Sequence, residues 1–189
     1  MEQHTLVPER LEAGKSILVV VDIQERFRQL IHDMDQVLAR TRRLIEFCQE
    51  LQIPIVVTEH YSRKLGTTMA ELGKSFTNFE PIEKIHFSCW GCEDFKTRLD
   101  DPDRPQIILC GIEAHVCIYQ TAADLMRQGK QVVAAVDAIS SCSAGNREIG
   151  LQRLAGIGVQ NMGVQMLMFE ILQRAGTPEF KAVAGLLKE

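Results

Sequence analysis

The chain has 189 residues, of which 46% are hydrophobic and 24% charged, values typical of one globular domain. Its formal net charge of −4 at pH 7 gives no reason to expect nucleic acid or an anionic membrane as a partner. No apolar run approaches the roughly 20 residues of a membrane-spanning helix, and the polar opening MEQHTLVPERLEAGKS has no apolar signal core.

The six cysteines are scattered through the sequence rather than arranged as a short disulfide framework. A reducing compartment is the simplest setting for such a chain, so we expect a cytoplasmic protein. No repeat, low-complexity tract or interdomain linker divides the sequence, so residues 1–189 are expected to form one domain.

Predicted strands and helices alternate along the chain, which favours an α/β fold with a parallel sheet covered on both faces. A doubly wound topology with right-handed crossovers is the default for such a pattern. The connection 59–80 is long, and loops of that length are often functional. The predicted strands lie at 16–21, 53–58, 81–87, 106–110, 131–138 and within 156–163, and the predicted helices lie at 35–51, 92–99, from the Cys117 segment to about 129, and at 146–155, 164–175 and 178–187.

Cys117 lies in the motif LCGIEAHVCIYQTA, which directly follows the predicted fourth strand. In the first turn of a helix, unpaired backbone N–H groups and the helix dipole stabilise a thiolate. Such a setting lowers a cysteine pKa from about 8.5 and provides oxyanion donors beside a nucleophile. The alternative is a small buried hydrophobic side chain, which is the usual role of cysteine.

Asp22 and Lys84 are the candidate partners of Cys117. Asp22 ends the apolar first strand, at the sheet edge where open α/β folds bind ligands. Lys84 lies in the predicted third strand. Taken singly, Asp22 could cap the next segment and Lys84 could be an ordinary strand residue. Together with Cys117 they place three reactive groups after three different strands.

The motifs DIQERF, EKIHFS and LCGIEAHVC, which carry Asp22, Lys84 and Cys117, resemble in order and spacing those of the isochorismatase-like cysteine hydrolases. The resemblance is closest to the isochorismatase domain-containing subgroup and runs from about Leu11 to the C-terminus, through VTEHYSRKLG, VDAISSCS and FEILQRAGTPEFK. It implies a six-stranded, mostly parallel sheet in the order 3-2-1-4-5-6, in a three-layer sandwich. Asp22 and Cys117 would then share the crevice between the first and fourth strands.

The resemblance also implies roles for these residues. Asp22 is the expected general base, Cys117 the nucleophile and Lys84 the cation that orients and balances them. Backbone N–H groups of Glu113 and Cys117 are the expected oxyanion donors, and Ile112–Glu113 the expected cis peptide bond. The implied reaction is hydrolysis of a small amide or related C–N bond through a thioester.

Nicotinamidases of this family hold a metal with Asp-x-His and a later histidine. This chain has Glu59-His60 at that place and no second histidine before His86. We therefore expect no metal and no other cofactor. Phe27, Tyr61 and Trp90 are the candidate aromatic residues for a substrate pocket.

The family implies a homo-oligomer, dimeric or higher, that binds a small-molecule substrate. The apolar stretch 164–169 agrees with this, because it holds more apolar residues than one helix face needs. A His115–Cys117 pair is not expected, since positions i and i+2 of a helix point apart.

Two other functions stay open. The fold could carry a catalytically silent binding module, although Asp22, Lys84 and Cys117 are all retained. The second is a thiol-redox protein using Cys89 and Cys92. A single C-x-x-C motif without further ligands does not make a zinc site.

Overall fold

In the computed structural model, which describes residues 9–188, six strands form one parallel sheet. The strand order β3-β2-β1-β4-β5-β6 confirms the predicted doubly wound arrangement. The polar opening segment lies outside the described residues as far as residue 8, as does residue 189. The strands are β1 (Ser16–Val21), β2 (Ile55–His60), β3 (Ile82–Lys84), β4 (Gln106–Ile112), β5 (Gln131–Ser140) and β6 (Gln160–Met162).

Helices connect the strands and cover both faces of the sheet. Within residues 9–188, no helix is both long and apolar enough to cross a bilayer. The helices are α1 (Met34–Glu50), α2 (Ser62–Leu65), α3 (Ala70–Gly73), α4 (Glu93–Arg98), α5 (Tyr119–Arg127), α6 (Ala144–Gly156), α7 (Val164–Leu172) and α8 (Pro178–Val183).

The apolar residues divide into two hydrophobic clusters, one on each face of the sheet. Every residue of β1 is buried, and alternate residues belong to alternate clusters: Leu18 to one, Val19 to the other. This is the pattern of a central parallel strand covered on both sides. Phe47 of α1 packs in the first cluster, whereas Leu125 of α5 packs in the second, together with Cys117.

Strand β2 begins and ends two residues later than predicted. The N–H of Ile53 donates to the carbonyl of Cys48 at the end of α1 (2.8 Å), and Pro54 has no N–H to donate to the ladder. At its other end β2 continues to His60, which pairs with Lys84 of β3. The shift matters for the site because it makes His60 the cross-strand neighbour of Lys84.

Side-chain hydrogen bonds fix the long connection that follows β2. The carboxylate of Glu59 accepts hydrogen bonds from the backbone N–H and the hydroxyl of Thr68 (2.7 and 2.8 Å). The buried side chain of Gln24 donates to the carbonyls of His60 (3.0 Å) and Gly66 (2.6 Å). These bonds fasten the connection to the carboxyl ends of β1 and β2.

Gly111 allows β4 to lie close to β1. It has φ +114°, and an added Cβ would lie 2.1 Å from the carbonyl oxygen of Val21. That backbone conformation suits glycine alone. The two strands that carry Asp22 and the Cys117 turn can therefore be neighbours only because residue 111 has no side chain.

We expect Gly111→Ala to lower the free energy of unfolding by at least about 2 kcal/mol, because strain and a backbone clash combine. Gly145→Ala is the matched control. That glycine lies in the first turn of α6, and an added Cβ meets nothing within 4 Å, so the change should be neutral or stabilising by up to about 1 kcal/mol. Urea unfolding of both variants measures the difference. Equal effects would show that the close approach at Gly111 does not matter.

Candidate active site

The candidate site lies at the carboxyl end of the sheet, where β1 and β4 are neighbours and the strand order reverses. Asp22 follows the last residue of β1 in the left-handed conformation, with φ 54°, which aspartate tolerates better than most residues. Its N–H donates to the carbonyl of Thr58 (3.2 Å).

Asp22 and Lys84 form a buried ion pair. Lys84 Nζ lies 2.6 Å from Asp22 Oδ2, and the two side chains are 0% and 2% exposed. Thr58 Oγ1 donates to the other carboxylate oxygen (2.7 Å), while Lys84 Nζ also donates to the carbonyls of His86 (3.2 Å) and Phe87 (3.4 Å). A buried pair of charges requires such supporting hydrogen bonds to offset its desolvation.

Thr58 is a member of the site that sequence reasoning missed. The available signal was its position: it is a polar residue at the end of the predicted second strand, at the same sheet edge as Asp22. Its hydroxyl orients the Asp22 carboxylate, so that the other oxygen of Asp22 meets Lys84.

Cys117 completes the cluster. Its Sγ lies 3.9 Å from Lys84 Nζ, and the residue is 7% exposed. It belongs to a π-helical turn, Ala114–Ile118, rather than to the first turn of an α-helix as predicted. Such turns are rare and frequent at functional sites. The peptide bond Ile112–Glu113, immediately before this turn, is cis. Glu113 thus immediately precedes the turn, and Cys117 lies within it.

The pKa of Cys117 differs from the sequence prediction. Burial raises it well above its ordinary value, the negative charge of Asp22 raises it further, and Lys84 lowers it only in part. Burial acts to lower the pKa of Lys84, but the negative partners led by Asp22 outweigh it and keep the ammonium charged. The resting site is therefore a neutral thiol beside an ion pair, not a thiolate.

His60 is the polar neighbour of the cluster. It pairs with Lys84 across the β2–β3 ladder, and its ring stacks on that of Phe87 with centroids 5.4 Å apart. Burial, followed by the charge of Lys84, lowers the pKa of His60, so the imidazole is neutral at pH 7. Glu59, its partner in the position of the metal motif, is instead bonded to Thr68.

The three predicted pocket aromatics have different surroundings. Phe27 packs against the hydrophobic cluster on the α1 side of the sheet, whereas Trp90 packs against the cluster on the opposite side. Tyr61 is 44% exposed. Trp90 and Phe87 line a surface cavity of about 540 Å³ beside the carbonyls that bind Lys84. Trp90 therefore lines a cavity next to the candidate site.

Cys89 and His115 were the other candidate reactive groups near Cys117, and neither is placed to act as its partner. All six cysteines are free thiols, and Cys89 is fully buried. Burial and Asp22 raise the pKa of Cys89 to about 11, which makes it a poor redox nucleophile. His115 Nδ1 lies 3.0 Å from the hydroxyl of Ser141.

A cysteine, a lysine and an aspartate that converge at the switch point of a parallel sheet define a doubly wound α/β domain with a candidate cysteine nucleophile. Comparison with known proteins identifies the family. The sequence model described as Isochorismatase domain matches residues 16–166. The chain therefore belongs to the isochorismatase family, which confirms the predicted resemblance.

Individual relatives match over nearly the whole chain. The secreted isochorismatase effector Isc1 of Phytophthora sojae is 35% identical over 184 residues, covering 95% of this chain and 88% of its own. Isochorismatase domain-containing protein 2 of Danio rerio is 37% identical over 179 residues, covering 94% and 89%. The structure of MAR1 ribonuclease from Caenorhabditis elegans has a TM-score of 0.89 and 32% identity, covering 95% and 92%.

Thiol labelling tests the electrostatics of the cluster. Because Asp22 raises the pKa of Cys117 and Lys84 lowers it, we expect Asp22→Asn to speed alkylation of Cys117 by iodoacetamide at pH 7 and Lys84→Met to slow it. In the wild type the exposed Cys142 should react before Cys117. Labelling of Cys117 should rise about tenfold per pH unit up to its raised pKa.

Peptide mapping after limited alkylation gives the rate at each cysteine. Cys142 serves as the internal control, because neither substitution touches it. Rapid labelling of wild-type Cys117 at pH 6 would contradict a resting thiol.

Proposed function

We propose that this protein is a cysteine hydrolase that cleaves a small amide or related C–N bond through a thioester. The observation that carries the proposal is the buried cluster in which Lys84 Nζ contacts both Asp22 Oδ2 (2.6 Å) and Cys117 Sγ (3.9 Å). Membership of the isochorismatase family supports a hydrolase at the coarser level. The amide bond and the cysteine mechanism are the finer steps of the proposal.

Proton transfer to Asp22 would accompany attack. The resting sulfur is a thiol. Cys117 Sγ therefore attacks the substrate carbonyl carbon while the thiol proton moves to the Asp22 carboxylate. Lys84 keeps its positive charge and stabilises the negative charge that develops on Cys117 Sγ. Thr58 holds the carboxylate in the same orientation before and after it takes the proton.

The tetrahedral oxyanion would be bound by the backbone N–H of Glu113, which immediately precedes the π-helical turn, and by that of Cys117 within the turn. Asp22 then returns the proton to the leaving nitrogen, the C–N bond breaks, and a thioester to Cys117 remains. Water attacks the thioester while Asp22 accepts its proton. Transfer of that proton to sulfur releases the acid and restores the thiol.

The neighbours of the cluster favour a small and largely uncharged substrate. The neutral imidazole of His60 can form a hydrogen bond without adding charge. The rings of Phe87 and Trp90 offer apolar contact in the adjacent cavity. No metal or other cofactor takes part in this proposal, since Glu59 is bonded to Thr68 and the rest of the motif is absent.

The name of the nematode relative, MAR1 ribonuclease, raises RNA as a rival substrate. The net charge of −4 does not favour a polyanion, because binding to nucleic acid gains most of its strength from cationic contacts with phosphates. RNA therefore belongs in the substrate screen as a control that we expect to remain uncleaved.

We further propose a reducing cytoplasmic setting, which the six free thiols support. A homo-oligomer is supported by α7, where Met166 and Phe169 are 57% and 47% exposed although Leu167 and Met168 are buried. Large exposed apolar side chains on one helix are typical of a contact surface.

Substitutions in the cluster test the hydrolase proposal on a panel of small amides. Cys117→Ala should abolish turnover, and Asp22→Asn and Lys84→Met should each lower it at least about a hundredfold, in the range typical of general acid–base and electrostatic groups. The double variant Asp22→Asn, Cys117→Ala should be little worse than the worse single variant, because these groups act as a unit.

Cys89→Ser is the matched cysteine control for this screen and should retain most of the activity. A chelator should leave wild-type turnover intact. If Cys117→Ala cleaves the amides as fast as the wild type, the cysteine mechanism is excluded. Thiol–disulfide exchange that is lost in Cys89→Ser, with no amide turnover in the wild type, would favour the redox alternative.

The proposed assembly has a separate test. Light scattering at micromolar concentration should give a mass of at least two chains. Phe169→Glu should shift that mass towards the monomer, because a charge at a buried contact is costly, whereas Gln173→Glu just beyond the end of α7 should not. A monomeric wild type at this concentration would rule out the homo-oligomer.

A further inference from the structure

Three metal-binding side chains lie together on the outer side of the Cys117 turn. Glu113, His115 and Cys142 each offer one donor atom, and these atoms all lie within 4.8 Å of one another. The cluster forms because Ile112 and Ser140 are paired at the ends of β4 and β5. Residues that are 27 or more positions apart in sequence therefore meet just beyond the paired strands. This convergence is invisible in the sequence.

The geometry points to a site for a single Zn²⁺ ion bound by the thiolate of Cys142, a ring nitrogen of His115 and the carboxylate of Glu113. Tetrahedral zinc with bonds of about 2.0–2.3 Å requires donor atoms roughly 3.5 Å apart. The present separations require a contraction of about 1 Å, which side-chain rotation can supply at a partly exposed site. A water molecule would take the fourth position.

The donor types select zinc over hard cations. Thiolate and imidazole are preferred by zinc, whereas calcium and magnesium require oxygen ligands. One thiolate and one carboxylate together balance the two charges of the ion. Cys142 is exposed, so an ion can enter directly from solvent.

The surrounding hydrogen bonds already orient the three donors. The side-chain amide of Asn146 donates to Cys142 Sγ (3.2 Å), and the backbone N–H of Cys142 donates to Glu113 Oε2 (2.8 Å). His115 Nδ1 lies 4.0 Å from Glu113 Oε2 and 3.0 Å from Ser141 Oγ, so this nitrogen faces the other donors and would exchange its contact with Ser141 for the ion. Supporting hydrogen bonds of this kind are usual around metal ligands.

Zinc at this position would also restrain the catalytic turn. Glu113 and His115 flank Ala114, and the backbone N–H of Glu113 is one of the two oxyanion donors proposed above. An ion that fixes both side chains restricts the adjustment of that turn to the tetrahedral intermediate. We therefore expect zinc to slow turnover, and this consequence rests on the proposed function, whereas the binding itself does not.

Binding is measured first, without any substrate. Reduced protein is titrated with Zn²⁺ in competition with a chromogenic chelator, and with Co²⁺, whose near-ultraviolet charge-transfer band reports a thiolate ligand. We expect one ion per chain in the wild type, and affinity at least about tenfold weaker in Cys142→Ser and His115→Ala, which lack a ligand. Circular dichroism checks that both variants stay folded.

Two cysteine variants control for binding elsewhere. Cys117→Ala removes the candidate nucleophile and Cys92→Ser removes the other partly exposed thiol; both should bind zinc like the wild type. Loss of the cobalt band in Cys117→Ala but not in Cys142→Ser would place the ion at the catalytic sulfur and overturn the proposal. Equal affinity in all four variants would overturn it as well.

Turnover is measured second, on any amide that the screen identifies. Zinc should lower the rate of the wild type and of Cys92→Ser, a chelator should restore it, and Cys142→Ser should be insensitive at the same concentration. Stoichiometric binding without any change in rate would overturn the inhibitory role. Failure to find an amide substrate would leave the binding result standing and count against the proposed hydrolase alone.

Discussion

The buried ion pair between Asp22 and Lys84 is the interaction on which the site depends. Two charges that are 0% and 2% exposed lie side by side in a largely apolar interior. Removing either partner would leave the other charge buried and unpaired, at a cost of about 3–5 kcal/mol. The fold tolerates these charges only if β1, β2 and β3 are paired so that Asp22, Thr58 and Lys84 meet at their carboxyl ends. The same pairing brings Lys84 to Cys117.

This pair also decides the state of the sulfur. A lone lysine 3.9 Å from a thiol would favour the thiolate strongly, but here the charge of Lys84 is already balanced by Asp22. Burial then leaves the thiol as the stable form. The candidate nucleophile is thus held as an unreactive thiol, and the carboxylate that suppresses its ionisation is the group proposed to receive its proton.

Much of the fold could be predicted from sequence because its signals are local. The run Ser16–Val21 is apolar throughout, and alternation of strands with helices specifies a covered parallel sheet. The order of the strands is not a local property, and it came from the family resemblance. The carboxyl end of β2 was predicted two residues too early because it depends on the pairing of β2 with β3, which no local pattern encodes.

The candidate site was predictable to a similar degree. Asp22, Lys84 and Cys117 stand in recognisable motifs, but the support of Thr58 and the packing of the aromatics depend on contacts between distant residues. The predicted low pKa of Cys117 was wrong because position in a helix was considered without burial or the charge of Asp22. Electrostatic effects of this kind require the three-dimensional arrangement.

The shortness of β3 has a consequence for how activity would be lost on heating. Lys84 is the last residue of a three-residue strand at the edge of the sheet, held by three paired positions with β2. Edge elements with few ladder bonds open at a lower free energy than the central strands. Fraying of this one edge would withdraw the lysine while β1 and β4 remain intact. The candidate site would then be lost by a local opening before the domain melts, and its loss and global unfolding would be two separate transitions.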